Sequence, residues 1–194
     1  MKRICVFCGS LAGARPDYAE AARGFAAELV RRQLGLVYGG GSIGLMGVIA
    51  DAVLAGGGEV TGVIPRGLAS REFMHTGVTD LRVVGSMHER KATMASLADG
   101  FVALPGGLGT LEETLEALTW SQLGIHPKPI GLLNVRGYWD PLLALFTHAT
   151  REGFIRSPDV ALVLTGETPA ELLDALAAWR PSAVRRAWLD PTQT

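Results

Sequence analysis

The stretch LPGGLGTLEE, residues 104–113, sets Gly106, Gly107 and Gly109 ahead of Glu112 and Glu113, between an apolar run and a helix-like run. Glycines in a strand-to-helix turn let the backbone approach an anion closely, and the helix points its positive end at the same place. A carboxylate just inside that helix is then a candidate catalytic group. Thr110 and Glu113 also have the T-x-x-E spacing of a capping box, in which the two side chains satisfy each other's free backbone donors. The spacing alone leaves both readings open.

A second glycine turn, YGGGSIGLMG at 38–47, holds Gly39, Gly41 and Gly44 in the order G-x-G-x-x-G. A dinucleotide site needs an acidic residue at the end of the next strand, to bind a ribose hydroxyl. Here that strand ends Val63-Ile64-Pro65-Arg66, so an NAD site is not expected. Gly40, Gly41, Ser42 and Gly44 remain candidates for backbone contacts to phosphate. The competing reading is glycines that permit tight helix–strand packing. Two such turns after two strands are expected to hold one phosphorylated ligand between them.

Arg90 is the third residue of interest. Met87, Arg90, Met94 and Leu97 recur at helical steps, so Arg90 falls on an apolar face. Arg90 and Lys91 also lie near a helix N-terminus begun by the capping-box pair Ser86 and Glu89, where cations are disfavoured by about 0.3–1 kcal/mol each. An anion near them explains the pair better than solvated charge does. His88 is adjacent, and no pair among His75, His88, His126 and His148 has metal-ligand spacing, so no metal site is expected.

The elements that must position these residues alternate. RICVFC, LGLVYG, EVTGVI, DLRVVG, GFVALP, PIGLLN and VALVLT are short and mostly continuously apolar, as parallel strands buried on both faces are. Between them the pattern predicts a helix after Pro16 carrying Tyr18, Ala22, Phe25 and Leu29. It predicts further helices over 44–55, 87–98, 111–122, 138–152 and 169–179. The expectation is an α/β fold: a Rossmann-like, doubly wound, mostly parallel sheet with helices on both faces, one domain over 1–180, and a partly disordered tail at 181–194. In the fourth of these helices Leu111, Leu115 and Leu118 make an apolar stripe. Glu113, Ala117 and Trp120 lie on roughly the opposite side, where the tryptophan suggests a ligand or a second subunit.

At 194 residues, 48% hydrophobic and 19% charged, the chain reads as globular, and its formal net charge of −1 gives no sign of a nucleic-acid surface. The opening MKRICVFCGSLAGA imitates a secretory signal, but Gly9 and Ser10 break the apolar run too early, and no segment is long enough to span a membrane. Cys5 and Cys8 have no second Cys or His pair to complete a zinc site. They read as reduced thiols facing opposite sides of a strand, in a cytoplasmic protein.

Together these residues resemble the LOG ("lonely guy") phosphoribohydrolases, cytokinin-activating enzymes with bacterial relatives. The signature P-G-G-x-G-T-x-x-E stands at 105–113 and M-H-x-R-K at 87–91. GGGSIGLMG and TWSQLGIHPKPIGLLN match as well, and the resemblance runs from about residue 3 to about residue 180. Ser86 stands where many members have aspartate. The resemblance implies hydrolysis of the N-glycosidic bond of a nucleoside 5′-monophosphate, typically AMP or N6-modified AMP, to free base and ribose 5-phosphate. It assigns the essential arginine and glutamate to Arg90 and Glu113. It places nucleotide contacts at Glu72, Lys91, Gly106, Gly107, Leu108, Gly109, Thr110, Leu111, Glu112 and Thr119, with the residues around Leu108 and Phe73 bearing on which base fits. It also implies a homodimer with sites near the subunit interface, and no metal or redox cofactor. The rival readings are a non-catalytic nucleotide or molybdenum-cofactor carrier of the same fold, and a lysine decarboxylase, which needs a lysine for pyridoxal phosphate.

Overall fold

In a computed structural model of the chain, residues 1–69 and 74–181 are described. The expectations for Glu72, Phe73 and the tail beyond Pro181 lie outside them. Each of the seven apolar runs forms a strand: β1 (Arg3–Phe7), β2 (Gly35–Tyr38), β3 (Val60–Pro65), β4 (Asp80–Val84), β5 (Gly100–Ala103), β6 (Ile130–Leu133) and β7 (Val163–Gly166). They pair in the order β4-β3-β2-β1-β5-β6-β7, with every pairing parallel. The mostly parallel sheet expected from the sequence is thus wholly parallel among the described residues.

The helices α1 (Pro16–Arg31), α2 (Gly44–Ala55) and α7 (Pro169–Ala178) cover one face. The helices α3 (Met87–Leu97), α4 (Leu108–Leu123) and α5 (Asp140–Arg151) cover the other. A short α6 (Ser157–Val160), with Pro158 and Asp159 in its first turn, precedes β7 and takes Val160 from the run expected as strand. Strand side chains alternate between two cores. Ile4, Val6 and Cys8 enter the first and Cys5 and Phe7 the second, so the two free cysteines do face opposite sides. No described helix is long and apolar enough to cross a membrane.

Successive connections from β1 and from β5 run in opposite directions along the sheet. The turns after these two strands therefore flank the crevice where such sheets bind ligands. They are stitched together there: the Gly9 N–H donates to the Pro105 carbonyl at 3.1 Å.

The fourth helix departs from expectation twice. It begins at Leu108, with Gly107 as its N-cap, and not at 111. Thr110 is therefore inside the first turn, and Thr110 with Glu113 is no capping box. Gly109, a poor helix former, had disguised that first turn. The face turned to the sheet is Thr110, Thr114, Ala117 and Ser121, all buried, whereas Leu115 is 40% exposed and Leu118 only partly buried. Small side chains let α4 lie close over β1 and β5, which turns Leu115 outward.

Candidate active site

An open cleft of about 640 Å³ lies at this crevice, with walls from five segments of the chain, Leu68 after β3 among them. Ser10 comes from the turn after β1, Met46 from α2, Arg90 from α3, and Gly107, Thr110 and Glu113 from α4. Arg90 and Glu113, far apart in sequence, thus share one cavity.

Arg90 is held, not merely present. The Ser86 hydroxyl accepts from the Glu89 N–H at 3.1 Å, and the Glu89 carboxylate accepts from the Gly85 N–H at 2.6 Å, which fixes the start of α3. From there Arg90, 5% exposed, donates Nε–H to the Val63 carbonyl at 3.1 Å and Nη2–H to the Gly39 carbonyl at 2.8 Å. Val63 lies within β3 and Gly39 directly follows β2, so the guanidinium is tied to the sheet itself. A Cβ on Gly39 would stand 2.1 Å from Arg90 Nη2, so this first glycine of its turn makes room for the arginine.

Glu113 is half-buried on the cleft side of α4. Burial, with the Glu113 charge as the next cause, raises the thiol pKa values of Cys5 and Cys8 well above the ordinary range. Cys8 borders the cleft, yet as a protonated thiol it is a poor nucleophile. Lys91 bonds Glu112 at 2.6 Å and Glu116 at 2.8 Å, joining α3 to α4. Burial works against its charge, but the two carboxylates hold its pKa above the ordinary lysine value. The anion beside this cation is thus the protein's own.

The two glycine turns differ in their surroundings. At α2, the Leu45 and Met46 N–H groups donate to the Gly9 carbonyl at 2.9 and 3.3 Å. The Gly40 carbonyl accepts from the His75 N–H at 3.0 Å, and Gly41 bridges to Met74. Gly44 has φ +60°, and a Cβ there would stand 2.3 Å from Ser10 backbone. Gly40, Gly41 and Gly44 are thus packed against protein, and Ser42 is exposed. At α4, no side chain caps the helix, and the Cβ positions of Gly107 and Gly109 meet nothing within 4 Å. Uncapped first-turn N–H groups beside open space are what an anion requires. Gly106 is the exception, wedged against Thr110 Oγ1 and Gly9 N.

Of the other residues singled out, Leu108 and Glu112 border the cleft, and Leu111 packs partly into the second core. Thr119 lies elsewhere, on an apolar groove of about 570 Å³ with Leu115, Leu118, Phe146 and Phe154. Trp120 borders a small hollow with Phe7, Phe101 and Glu113. Sequence reasoning missed Ser10, Met46 and Leu68. The rule that ligands sit where strand order reverses could have found Ser10, in the turn after β1. Among the described residues no group of three or more His, Cys, Asp or Glu could hold a metal ion.

The family model described as "Possible lysine decarboxylase" matches residues 46–176. The cytokinin riboside 5′-monophosphate phosphoribohydrolase LOG1 of Arabidopsis thaliana is 50% identical over 96% of this chain and 90% of its own length. LOG7 of the same plant is 51% identical over 93% and 83%. The rice (Oryza sativa subsp. japonica) LOG enzyme is 52% identical over 93% and 74%. Among solved structures, the molybdenum cofactor carrier protein of Chlamydomonas reinhardtii superposes with a TM-score of 0.71 at 23% identity, covering 92% of this chain and 99% of that one. A likeness at that identity speaks for the fold alone. With half its residues shared with the plant enzymes over nearly its whole length, the chain belongs to the LOG phosphoribohydrolase family.

Proposed function

We infer that this chain hydrolyses the N-glycosidic bond of a nucleoside 5′-monophosphate, AMP or an N6-modified AMP, releasing the free base and ribose 5-phosphate. The observation that carries the reading is Arg90 and Glu113 meeting in one cleft beside an uncapped, glycine-lined helix N-terminus. In this reading the phosphate sits on the N–H groups of Gly107 to Thr110, which fixes the ribose next to Glu113. As the bond from C1′ to the base nitrogen breaks, positive charge builds on the ribose. The Glu113 carboxylate stabilises that charge and directs water to C1′, or attacks C1′ itself before water does. The water oxygen ends on C1′, and the base leaves with a proton. Arg90, immobilised by two carbonyls, orients the ribose or the glutamate.

The 5′-phosphate should be obligatory. Free base measured across a panel of nucleoside 5′-monophosphates should show AMP cleaved far better than adenosine. Equal kcat/KM for the two contradicts the reading. A non-catalytic carrier has the fold neighbours in its favour, but its ligand would bind without turnover in the same panel. Pyridoxal phosphate fits poorly as a cofactor. Lys91 is held between two carboxylates, and Lys128 donates to the Ala95 carbonyl at 2.5 Å.

We further infer a homodimer through the groove that holds Thr119. Phe154 is 87% exposed and Leu115 40%, and both line this groove, an apolar face that a second copy would cover. A Thr119 contact to nucleotide would then be made to the partner's substrate. A concentration-independent monomer mass in light scattering rules the dimer out.

A further inference from the structure

The loop after β6 is built with unusual care for one that contributes no residue to the cleft. Among the described residues, Gln33 and Arg136 are the non-glycine residues at positive φ. Gln33 has an ordinary cause: it follows α1, where its N–H and that of Leu34 close the helix on the Val30 and Leu29 carbonyls. Arg136, at φ 52° and ψ 35°, terminates no α-helix, and Gly137 continues the left-handed path at φ +72°. The path is locked on either side. The Asn134 side chain accepts from the Trp139 N–H at 2.8 Å and donates to Asp140 at 2.7 Å, while Arg136 reaches Asp17 at 3.1 Å. What this presents is Tyr138. Its ring meets Tyr18 and Trp139 edge-on, with centroids 5.9 and 5.0 Å away, and its hydroxyl donates to the Gly106 carbonyl.

We propose that Tyr138 is a positioning residue for the anion-binding turn, its hydroxyl locking the Gly106–Gly107 peptide in the orientation that aims the Gly107 N–H into the cleft. In a trans peptide the carbonyl and the following N–H point in opposite directions. Tyr138 and Gly106 border a second hollow of about 510 Å³, which Arg90 and Glu113 do not line. Gly107 borders both hollows, so a carbonyl fixed to Tyr138 sends the next N–H toward the reacting side. A glycine–glycine peptide needs such a restraint, because both of its residues tolerate the flipped conformation. Packing fixes only the first of the two: Gly106 is wedged between Thr110 and Gly9, whereas the Cβ position of Gly107 meets nothing. The hydroxyl therefore keeps the amide aimed before any phosphate arrives. This proposal rests on the reading that the α4 turn holds the 5′-phosphate.

The test is Tyr138→Phe, which keeps the ring and removes the hydroxyl, with Tyr18→Phe as the neighbouring control. Titration calorimetry with ribose 5-phosphate should show about tenfold weaker binding for Tyr138→Phe, the scale of one well-placed hydrogen bond. KM for AMP should rise by a similar factor while kcat stays within about threefold, residual adenosine cleavage is unchanged, and Tm moves little. Tyr18→Phe should leave all of these alone. Ribose 5-phosphate affinity within twofold of the unaltered protein in Tyr138→Phe overturns the proposal alone. So does an equal loss on AMP and adenosine, the mark of a general structural defect. Failure of the unaltered protein to bind ribose 5-phosphate overturns the phosphate reading and this proposal together.

Discussion

The two glycine turns have nearly the same composition and opposite employment. In the turn before α2 the missing side chains make room for protein: Arg90 against Gly39, Ser10 backbone against Gly44. Its helix donors already bond the Gly9 carbonyl. In the turn before α4, Gly107 and Gly109 face open space and the helix has no side-chain cap. The first turn anchors Arg90, and the second is the one we propose holds the ligand. Glycine richness after a strand therefore says that something comes close to the backbone. Only the surroundings say whether that is the protein itself or a substrate.

The largest expected effect concerns the helix that follows the second turn. Because Gly107 is the N-cap, Glu113 has no capping role to fall back on. Glu113→Gln should fold with unchanged Tm and lose roughly 10²–10³ in kcat, the usual scale for one electrostatic stabiliser. A folded variant within threefold of the original rate would leave Glu113 without a chemical role. The next effect sharpens the comparison itself. Gly44→Ala puts a side chain into the Ser10 backbone at positive φ and should destabilise the protein by about 2 kcal/mol or more. Gly109→Ala, in the first turn of α4, should raise stability by up to about 1 kcal/mol and still weaken AMP binding, by crowding the anion. Thermal melts beside AMP titrations of the two variants would erase the distinction if both simply lost stability.

The smallest effect lies away from both turns. Arg31 and Arg32 lower the Glu28 pKa from 4.5 to about 2. A carboxylate lowered on folding binds more protons unfolded, so its contribution is present above about pH 5 and is lost as pH falls toward 2. Urea midpoints between pH 5 and 2.5 should fall less steeply for Glu28→Gln than for the unaltered chain. Identical slopes would remove this pair from the account of acid stability.

Most of the fold was legible because continuous apolar runs between turn signals have few alternatives to buried parallel strands. The start of α4 was not. Gly109 lowers helix propensity just where T-x-x-E imitates a cap, and only the packing of Thr110, Thr114, Ala117 and Ser121 onto the sheet selects the earlier start. The same packing inverted the expected role of Leu115, because hydrophobic pattern reports apolarity and not which side comes close. Arg90 was found by its misfit on an apolar face. The anion inferred from the Arg90–Lys91 pair proved, for Lys91, to be Glu112 and Glu116, partners too distant in sequence for any local pattern to reveal. Tyr138 gave no signal at all, since its bond to a backbone carbonyl exists only in the folded chain.

The most direct measurement is a crystal structure of Glu113→Gln with AMP bound. The phosphate should lie on the N–H groups of Gly107 to Thr110, with C1′ of the ribose beside the altered side chain and Arg90 still on the Gly39 and Val63 carbonyls. A phosphate seated instead on the turn of Gly40 to Gly44, with the α4 N-terminus empty, would contradict it.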